Sequence, residues 1–508
     1  MTQGPDIAVW IDRWADHRPD ATAVEFEGKS STYRQLSDQI AAAAAWLHHA
    51  GITHGDRVAY LGPNRPEILE LVFGCARIGA IYLPLNSRLA PAEHAWILSD
   101  AEPALLIEDP EFGDHVDQTL VVNAGTNAAL PARAALGAAS APWHDSRYVA
   151  AAGAETPRIG SPTDALLLAY TSGTTGRPKG AVLDQAALAA NAVNGAHAHD
   201  LTSADRVLTL LPLFHVGGLN IQTLPALHAG AAVMIHRAFD PGRWLEDVEA
   251  WRPTLSLLVP ATLAAVSQHP RFATADLSSL RGLMTGSSTV PVAILKPYLD
   301  RGIPVGQIYG STETAPTAIY LRLEDSFEHP LSCGKPATHC DVRIVDAAGA
   351  DVVPGESGEL WVSGPNILRE YWRNPVATAE ALTDGWFHTG DIAHVDAQGF
   401  FHIDDRSKDV IISGGENIYP AEVENVLADS RLIAEAVVIG RPDERWGEVP
   451  IIVAVAATVD AVDTEALLDH FTGRLARFKI PKDVVWVEEL PRNAMGKVLK
   501  HVLRSSQL

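Results

Sequence analysis

The sequence predicts an α/β protein: a large N-terminal domain of doubly wound, mainly parallel sheets, followed by a small α+β C-terminal domain. Three observations predict it. A chain of 508 residues is too long for one ordinary core, so two or more domains are expected. Over residues 1–150 helical patterns alternate with short strands, which argues a mainly parallel sheet. The final stretch holds short strands at 436–440, 451–456 and 484–487 and helices near 421–428 and 464–476, a small α+β unit.

The elements follow in order. Thr32 and Gln35 make a capping box for a helix from Tyr33 to Ala50, with Leu36, Ile40 and Leu47 on one side and Gly51 as its stop. Asp56 to Leu61 reads as a strand, Gly62-Pro63-Asn64 as a turn, Pro66 to Ile78 as a helix and Ala80 to Leu85 as a strand. From Glu111 to Gly160 the text is Ala-rich and without pattern. No repeat of 20–50 residues is visible.

Composition narrows the function. With 62 acidic and 39 basic residues the formal charge is −23, which argues against nucleic acid and anionic membranes as partners. Three cysteines, Cys75, Cys333 and Cys340, form no CxxC pair and suit a reducing compartment. The first residues lack the basic and apolar regions of a signal peptide. No apolar run approaches the ~20 residues of a membrane span. A cytoplasmic location is therefore expected. Apolar surface on the large domain could support a homodimer.

One stretch organises the chain: Thr171-Ser172-Gly173-Thr174-Thr175-Gly176-Arg177-Pro178-Lys179-Gly180. It follows the apolar run Ala165 to Tyr170, which reads as a buried strand. It precedes Ala186 to Ala196, which reads as a helix. Its glycines let backbone N–H groups approach an anion, its hydroxyls add donors, and Lys179 adds a point charge. This suits a loop that grips a polyphosphate. The spacing is not that of GxxxxGK[ST]. A plain Ser/Thr/Gly surface turn is the other reading of the composition.

The ten residues resemble the phosphate-binding signature of the adenylate-forming enzymes: acyl-CoA synthetases, 4-coumarate-CoA ligases, firefly luciferase and peptide-synthetase adenylation domains. The resemblance returns downstream in the family's order. Pro212-Leu213-Phe214-His215 lies past a strand that reads as Arg206 to Pro212, at the edge where open parallel sheets bind ligands. By itself a His among apolar residues is most often a core residue; the resemblance implies that His215 lines the carboxylate pocket. No acid occurs from Val207 to Ile221, where amino-acid-activating relatives carry an Asp, so an amino-acid substrate is not expected.

Further matches are Met284-Thr285-Gly286-Ser287 and Tyr309-Gly310-Ser311-Thr312-Glu313. Gly286 and Ser287 could present backbone groups to a base, and Tyr309 a flat face for stacking. The YGxTE signature implies that Gly310 and Thr312 meet the nucleotide and that Glu313, a hard oxygen ligand, holds Mg²⁺. In Trp386-Phe387-His388-Thr389-Gly390-Asp391 the resemblance implies an aspartate on the ribose; an Asx turn is the plain alternative.

Asp404 to Asp409 is a charge cluster between apolar runs and reads as a linker. The resemblance places Arg406 on the ribose and makes Lys408 the pivot of a domain rotation. Gly414-Gly415-Glu416 would then guide the pantetheine arm of coenzyme A. Pro420 opens a helix. In Pro491-Arg492-Asn493-Ala494-Met495-Gly496-Lys497 the resemblance makes Lys497 the catalytic lysine, whereas Lys500 reads as surface.

The resemblance thus implies an ATP- and acyl-binding domain over 1–405 and a mobile lid over 406–508. It implies a catalytic set of Lys497, His215, Thr175 and Glu313. Thr171, Ser172, Gly173, Thr174, Gly176 and Lys179 would bind the nucleotide's phosphates. The reaction implied is AMP-forming ligation of a carboxylic acid to coenzyme A, using ATP and Mg²⁺. Candidate acyl-pocket walls are Gly217, Gly218, Ile221, Gly286, Ser311, Ala315 and Pro316. None is charged, so an uncharged tail is expected, aromatic or medium-chain. The rival readings are an acyl-AMP ligase serving a carrier protein, which would not respond to CoA, and a luciferase-like oxygenase, which would consume oxygen.

Overall fold

Thr32 caps the helix Tyr33–His49 as predicted. Its hydroxyl accepts from the Gln35 backbone at 3.2 Å, and Gln35 Oε1 accepts from the Thr32 backbone at 2.8 Å, so two orphan donors are satisfied reciprocally. The next helix, Glu67–Ile78, ends on Gly79 at φ 69°, a left-handed stop that glycine adopts without strain. The two helices pack against each other. Their approach depends on small residues: a Cβ on Gly74 would stand 3.3 Å from the Ala43 methyl.

The structure is a computed structural model that describes residues 6–124, 130–137, 140–146, 148, 158–171, 178–286, 290–406, 409–413, 416–443, 446–458, 462–471, 475, 479–492 and 498–506. Among these residues the strands form four sheets. The first runs, from edge to edge, Lys335–Pro336, Ile319–Leu321, Val305–Tyr309, Gly282–Gly286, Leu255–Leu257, Arg206–Thr209, Ala232–Ile235, Thr22–Phe26, Lys29–Thr32. Its central pairings are parallel and its outer ones antiparallel. The second sheet sets Ile81–Leu85, Arg57–Leu61, Leu105–Glu108 and Ala132–Ala135 parallel beside Ala165–Thr171, with an antiparallel edge of Lys179–Asp184 and Glu370–Tyr371. One continuous core joins Val207 and Val233 of the first sheet to Tyr82 and Leu166 of the second.

A third, antiparallel sheet spans Asp341–Val345, Gly358–Ser363, Leu382–Thr383, Trp386–Val395 and Phe401–Arg406. The fourth gathers Ile411–Ser413, Glu416–Ile418, Ile433–Asp443, Gly447–Ala456 and Val484–Trp486. It has its own core, around Val423, Val438, Ile452 and Phe471, as a separate domain requires. Among the described residues no helix is long and apolar enough to cross a membrane.

Several expectations are corrected. The patternless stretch after Glu111 holds the helix Gly113–Ala124 and the strand Ala132–Ala135. The strand from Arg206 ends at Thr209, short of Pro212. The helix after the phosphate-loop stretch does not follow it directly, because the strand Lys179–Asp184 intervenes before Gln185–His199. The charge cluster at Asp404 is not all linker: Phe401–Arg406 is a strand, with Arg406 opposite Asp391. Cross-strand partners make its charge tolerable, since Asp404 accepts from Ser357 Oγ at 2.6 Å and pairs with His394 Nδ1 at 2.7 Å. Lys500 is not a free surface lysine. Its Nζ lies 2.9 Å from Glu424 Oε1, with the side chain 17% exposed.

Candidate active site

The strands Ala165–Thr171 and Lys179–Asp184 form an antiparallel hairpin in which Thr171 faces Lys179. Ser172, Gly173, Thr174, Thr175 and Gly176 lie between them, outside the described residues. The Lys179 ammonium sits 5.3 Å from the centroid of the Tyr371 ring, within cation–π range. Tyr371 reaches this position because its own strand pairs with Lys179–Asp184, Tyr371 opposite Ala181. Its hydroxyl donates to Glu313 Oε1 at 2.9 Å. Burial, and then the neighbouring Glu313 charge, push the Tyr371 hydroxyl well above the usual phenol range, so it stays a donor. Lys179, Tyr371 and Glu313 therefore form one chain of contacts. Sequence reasoning missed Tyr371, which carries no local signal.

Glu313 sits in the short 3₁₀ turn Thr312–Thr314 and is 9% exposed. Gly310 sets the approach to that turn: a Cβ there would stand 1.6 Å from the Pro316 carbonyl oxygen, a distance no side chain survives. Among the described residues no group of three or more His, Cys, Asp or Glu could hold a metal ion. A single carboxylate fits Mg²⁺, which keeps waters and takes substrate phosphates rather than a full protein cage.

The register gathers further candidates at one edge. Leu255 faces Val207, Leu257 faces Met284, and Gly286 faces Ile308. Thr209, Leu257, Gly286 and Tyr309 consequently end their parallel strands side by side, at the carboxyl edge where such sheets bind ligands. The backbone at Gly286 is crowded, since a Cβ would lie 2.6 Å from Ile308 O. Tyr309 donates its hydroxyl to Asp391 Oδ2 at 2.7 Å. Burial and then the Asp391 charge push that hydroxyl well above the usual range. Asp391 lies inside the strand Trp386–Val395, not in an Asx turn; its backbone N–H donates to Thr389 Oγ1 at 3.0 Å.

His215 stands just past the same edge. Its Nδ1 accepts from the Gly217 backbone N–H at 3.0 Å, so the neutral ring carries its proton on Nε2. Burial pushes its pKa down to about 4, which keeps it neutral near pH 7. Asn64 fixes the residues that lead to it. Asn64 Nδ2 donates to Leu211 O at 2.9 Å and His236 O at 3.1 Å, and Oδ1 accepts from Leu213 N at 2.8 Å. Sequence reasoning saw Asn64 only as part of a turn.

The structure thus brings Lys179 and Glu313 together through Tyr371, and Tyr309 and Asp391 together directly, with Gly310 and Thr312 on the turn between Tyr309 and Glu313. Ser287, Lys408, Gly414, Gly415 and Lys497 lie outside the described residues. For Arg406 and Glu416 the description covers the backbone alone: Arg406 ends one strand and Glu416 opens another, opposite Ser413. Arg492 and Val498 form an antiparallel bridge on either side of the Lys497 stretch.

Comparison with known proteins gives the family. Residues 11–372 match the family described as AMP-binding enzyme, and residues 422–497 match the AMP-binding enzyme C-terminal domain. The chain is 46% identical to the indoleacetate–CoA ligase of Aromatoleum aromaticum and covers 98% of both chains. It is 45% identical to a feruloyl-CoA synthase of an Amycolatopsis species, again over 98% of both. Among solved structures it resembles o-succinylbenzoate coenzyme A synthetase of Bacillus subtilis in complex with ATP and magnesium ion, with a TM-score of 0.85, 30% identity and 100% of both chains covered. The chain belongs to the AMP-binding enzyme family, the adenylate-forming acyl-CoA synthetases whose motifs it carries.

Proposed function

We propose that this protein joins an uncharged-tail carboxylic acid, aromatic in preference to aliphatic, to coenzyme A with ATP as the energy source. The acid's carboxylate displaces pyrophosphate from the α-phosphorus of ATP, and the thiol of coenzyme A then displaces AMP from the acyl group. The observation that carries the reading is the pair of buried carboxylates at the end of the strand Val305–Tyr309: Asp391 bonded to Tyr309, and Glu313 in the turn that follows. One is held by Tyr371 and the other by Tyr309.

Each residue has a task. Glu313 would hold Mg²⁺, which supplies positive charge to the phosphate oxygens. Asp391 accepts hydrogen bonds from the ribose, and Thr171, Thr175 and Lys179 meet the phosphates. His215, neutral, offers its Nε2–H to the carboxylate without forming an ion pair that would blunt its attack. Lys497, on a C-terminal domain from 406 to 508 that turns about Lys408, stabilises the charge that builds between carboxylate and α-phosphate. The preference for an aromatic acid is supported by the indoleacetate and ferulate ligases among the relatives.

The test is pyrophosphate release by the purified protein against acetate, octanoate, palmitate, benzoate, cinnamate, ferulate and indole-3-acetate, each with and without coenzyme A. Strong CoA-dependent turnover of an aryl acid, lost in Lys497→Ala, is the expected result. Release indifferent to coenzyme A would replace this reading with an acyl-AMP ligase. No release with any acid, in the wild type as in Lys497→Ala, would overturn it.

A further inference from the structure

A turn of the second sheet holds the segment of the first that leads to His215. The strand Arg206–Thr209 ends its ladder at Thr209, opposite Ile235, and beyond that point Leu211 and Leu213 are bonded by a side chain. That side chain is Asn64, which is 5% exposed. Its Nδ2 donates to Leu211 O at 2.9 Å and to His236 O at 3.1 Å, and its Oδ1 accepts from Leu213 N at 2.8 Å. Two carbonyls and one N–H allow a single orientation of the amide.

Asn64 is itself anchored from behind. The neighbouring Arg65 forks onto Glu67 at 2.8 and 2.9 Å and reaches Asp109 Oδ2 at 2.7 Å. All three charged residues are buried, so the loss of any one would strand a charge away from water. Gly62 lets the turn lie close to Asp109: a Cβ there would stand 2.8 Å from the Asp109 Cβ. Asp109 also faces Arg237, whose Nη2 is 3.7 Å from its Oδ1, and Arg237 follows the His236 whose carbonyl Asn64 holds. The turn is thus fixed in the second sheet and tied to the first at two adjacent residues.

What Asn64 holds is passed on to His215. Leu213 is fully buried. The His215 backbone N–H donates to Pro212 O at 3.2 Å, and the Leu219 N–H donates to His215 O at 3.0 Å. Gly218 lies so close that a Cβ on it would stand 2.3 Å from Pro212 O and 2.7 Å from Leu211 O. A shift of Leu211–Leu213 therefore has little slack in which to fade before it reaches His215. An apolar residue of the same size could fill the space of Asn64, but it would leave two carbonyls and an N–H without their partner.

We propose that Asn64 is a positioning residue of the ligation: it holds Leu211–Leu213, and through them His215, at the place where the carboxylate of the acid is received. The proposal rests on the ligase reading above and on the task given there to His215. Asn64 acts through the backbone and not on the acid itself. Its effect falls on the acid side of the site, because the groups proposed for the nucleotide and its metal, Asp391 and Glu313, hang on bonds from Tyr309 and Tyr371 instead.

The experiment measures pyrophosphate release by the full-length protein with ATP, coenzyme A and the acid of the panel above that gives the highest turnover. The proteins compared are the wild type, Asn64→Ala, Asn64→Asp, His215→Phe and the double variant Asn64→Ala with His215→Phe. Asn64→Asp keeps the shape and the acceptor of the side chain and loses the amide donor. In Asn64→Ala kcat/KM for the acid is expected to fall ~10²-fold, the scale of a reacting group displaced from a distance, with the KM for the acid raised and the KM for ATP little changed. Asn64→Asp should fall in the same direction by less. In the His215→Phe background the loss caused by Asn64→Ala should shrink by ~3-fold or more, because residues that act through one another do not add. A KM for ATP raised as much as that for the acid, or the same loss in both backgrounds, would overturn the inference and leave the ligase reading standing. Failure of both single Asn64 variants to fold would overturn it too, since Asn64 would then serve the fold alone. No turnover of any acid by the wild type would overturn both.

Discussion

The Tyr309 hydroxyl donates to Asp391 Oδ2 at 2.7 Å and so ties the end of a parallel strand to the middle of the antiparallel sheet that follows. The two residues are far apart in sequence, and the bond fixes the Asp391 carboxylate that we propose for the ribose. Tyr309→Phe should raise the apparent KM for ATP ~10-fold, the scale of one hydrogen bond to a charged group, with kcat little changed. Steady-state kinetics with ATP varied at saturating acid checks this. A loss confined to kcat would mean that the bond serves the chemical step.

Tyr371 stands between Lys179 and Glu313. Removing its hydroxyl leaves the Glu313 carboxylate without the group that orients it. With Glu313 holding Mg²⁺ as proposed, Tyr371→Phe should shift the Mg²⁺ concentration for half-maximal rate upward by ~10-fold, the scale for a metal ligand that loses its supporting partner. Glu313→Gln should lower the adenylation rate ~10²–10³-fold. A magnesium titration of pyrophosphate release on both variants measures the two effects together.

His94, His199 and His215 are all pushed down to about 4, in each case chiefly by burial. A histidine in the unfolded chain titrates near ~6.5. Between those values the unfolded state binds more protons than the folded one, so stability is full above pH ~6.5 and falls as the pH drops towards 4. The urea midpoint should decline from pH 7.5 to pH 5, and His199→Gln should lessen the decline. A midpoint constant over that interval would contradict the burial of these rings. Because His215 is already neutral, its replacement by Phe should leave no missing step near pH 6.5 in the rate profile.

Two glycines make a controlled pair. A Cβ on Gly310 would meet Pro316 O at 1.6 Å, whereas on Gly113 the nearest atom is Arg133 Nη2 at 3.9 Å. Gly310→Ala should destabilise by at least ~1–3 kcal/mol, as overpacking does. Gly113→Ala, in an ordinary right-handed conformation at φ −52°, should be neutral or stabilise by ~0.5 kcal/mol. Chemical denaturation of the two variants against the wild type provides the comparison.

What the sequence disclosed is set by the range of the interactions. The Thr32 capping box and the Gly51 stop, at φ 85°, are local, and they were legible. Tyr371 becomes a partner of Glu313 only through pairing with Ala181, far away in the chain. Asn64 likewise acts through bonds to residues 211, 213 and 236. The strand Lys179–Asp184 was missed because the glycines before it and the alanines after it both carry stronger signals.

The hairpin has a consequence for how this enzyme could be altered. Thr171 and Lys179 face each other as the last ladder pair, so the stretch from 172 to 178 is joined to the sheet at both ends by partners that do not depend on what lies between. Closing a segment of somewhat different length changes the chain entropy only slowly. A graft of this stretch from another family member, cut at Thr171 and Lys179, should therefore leave the register of the sheet unchanged.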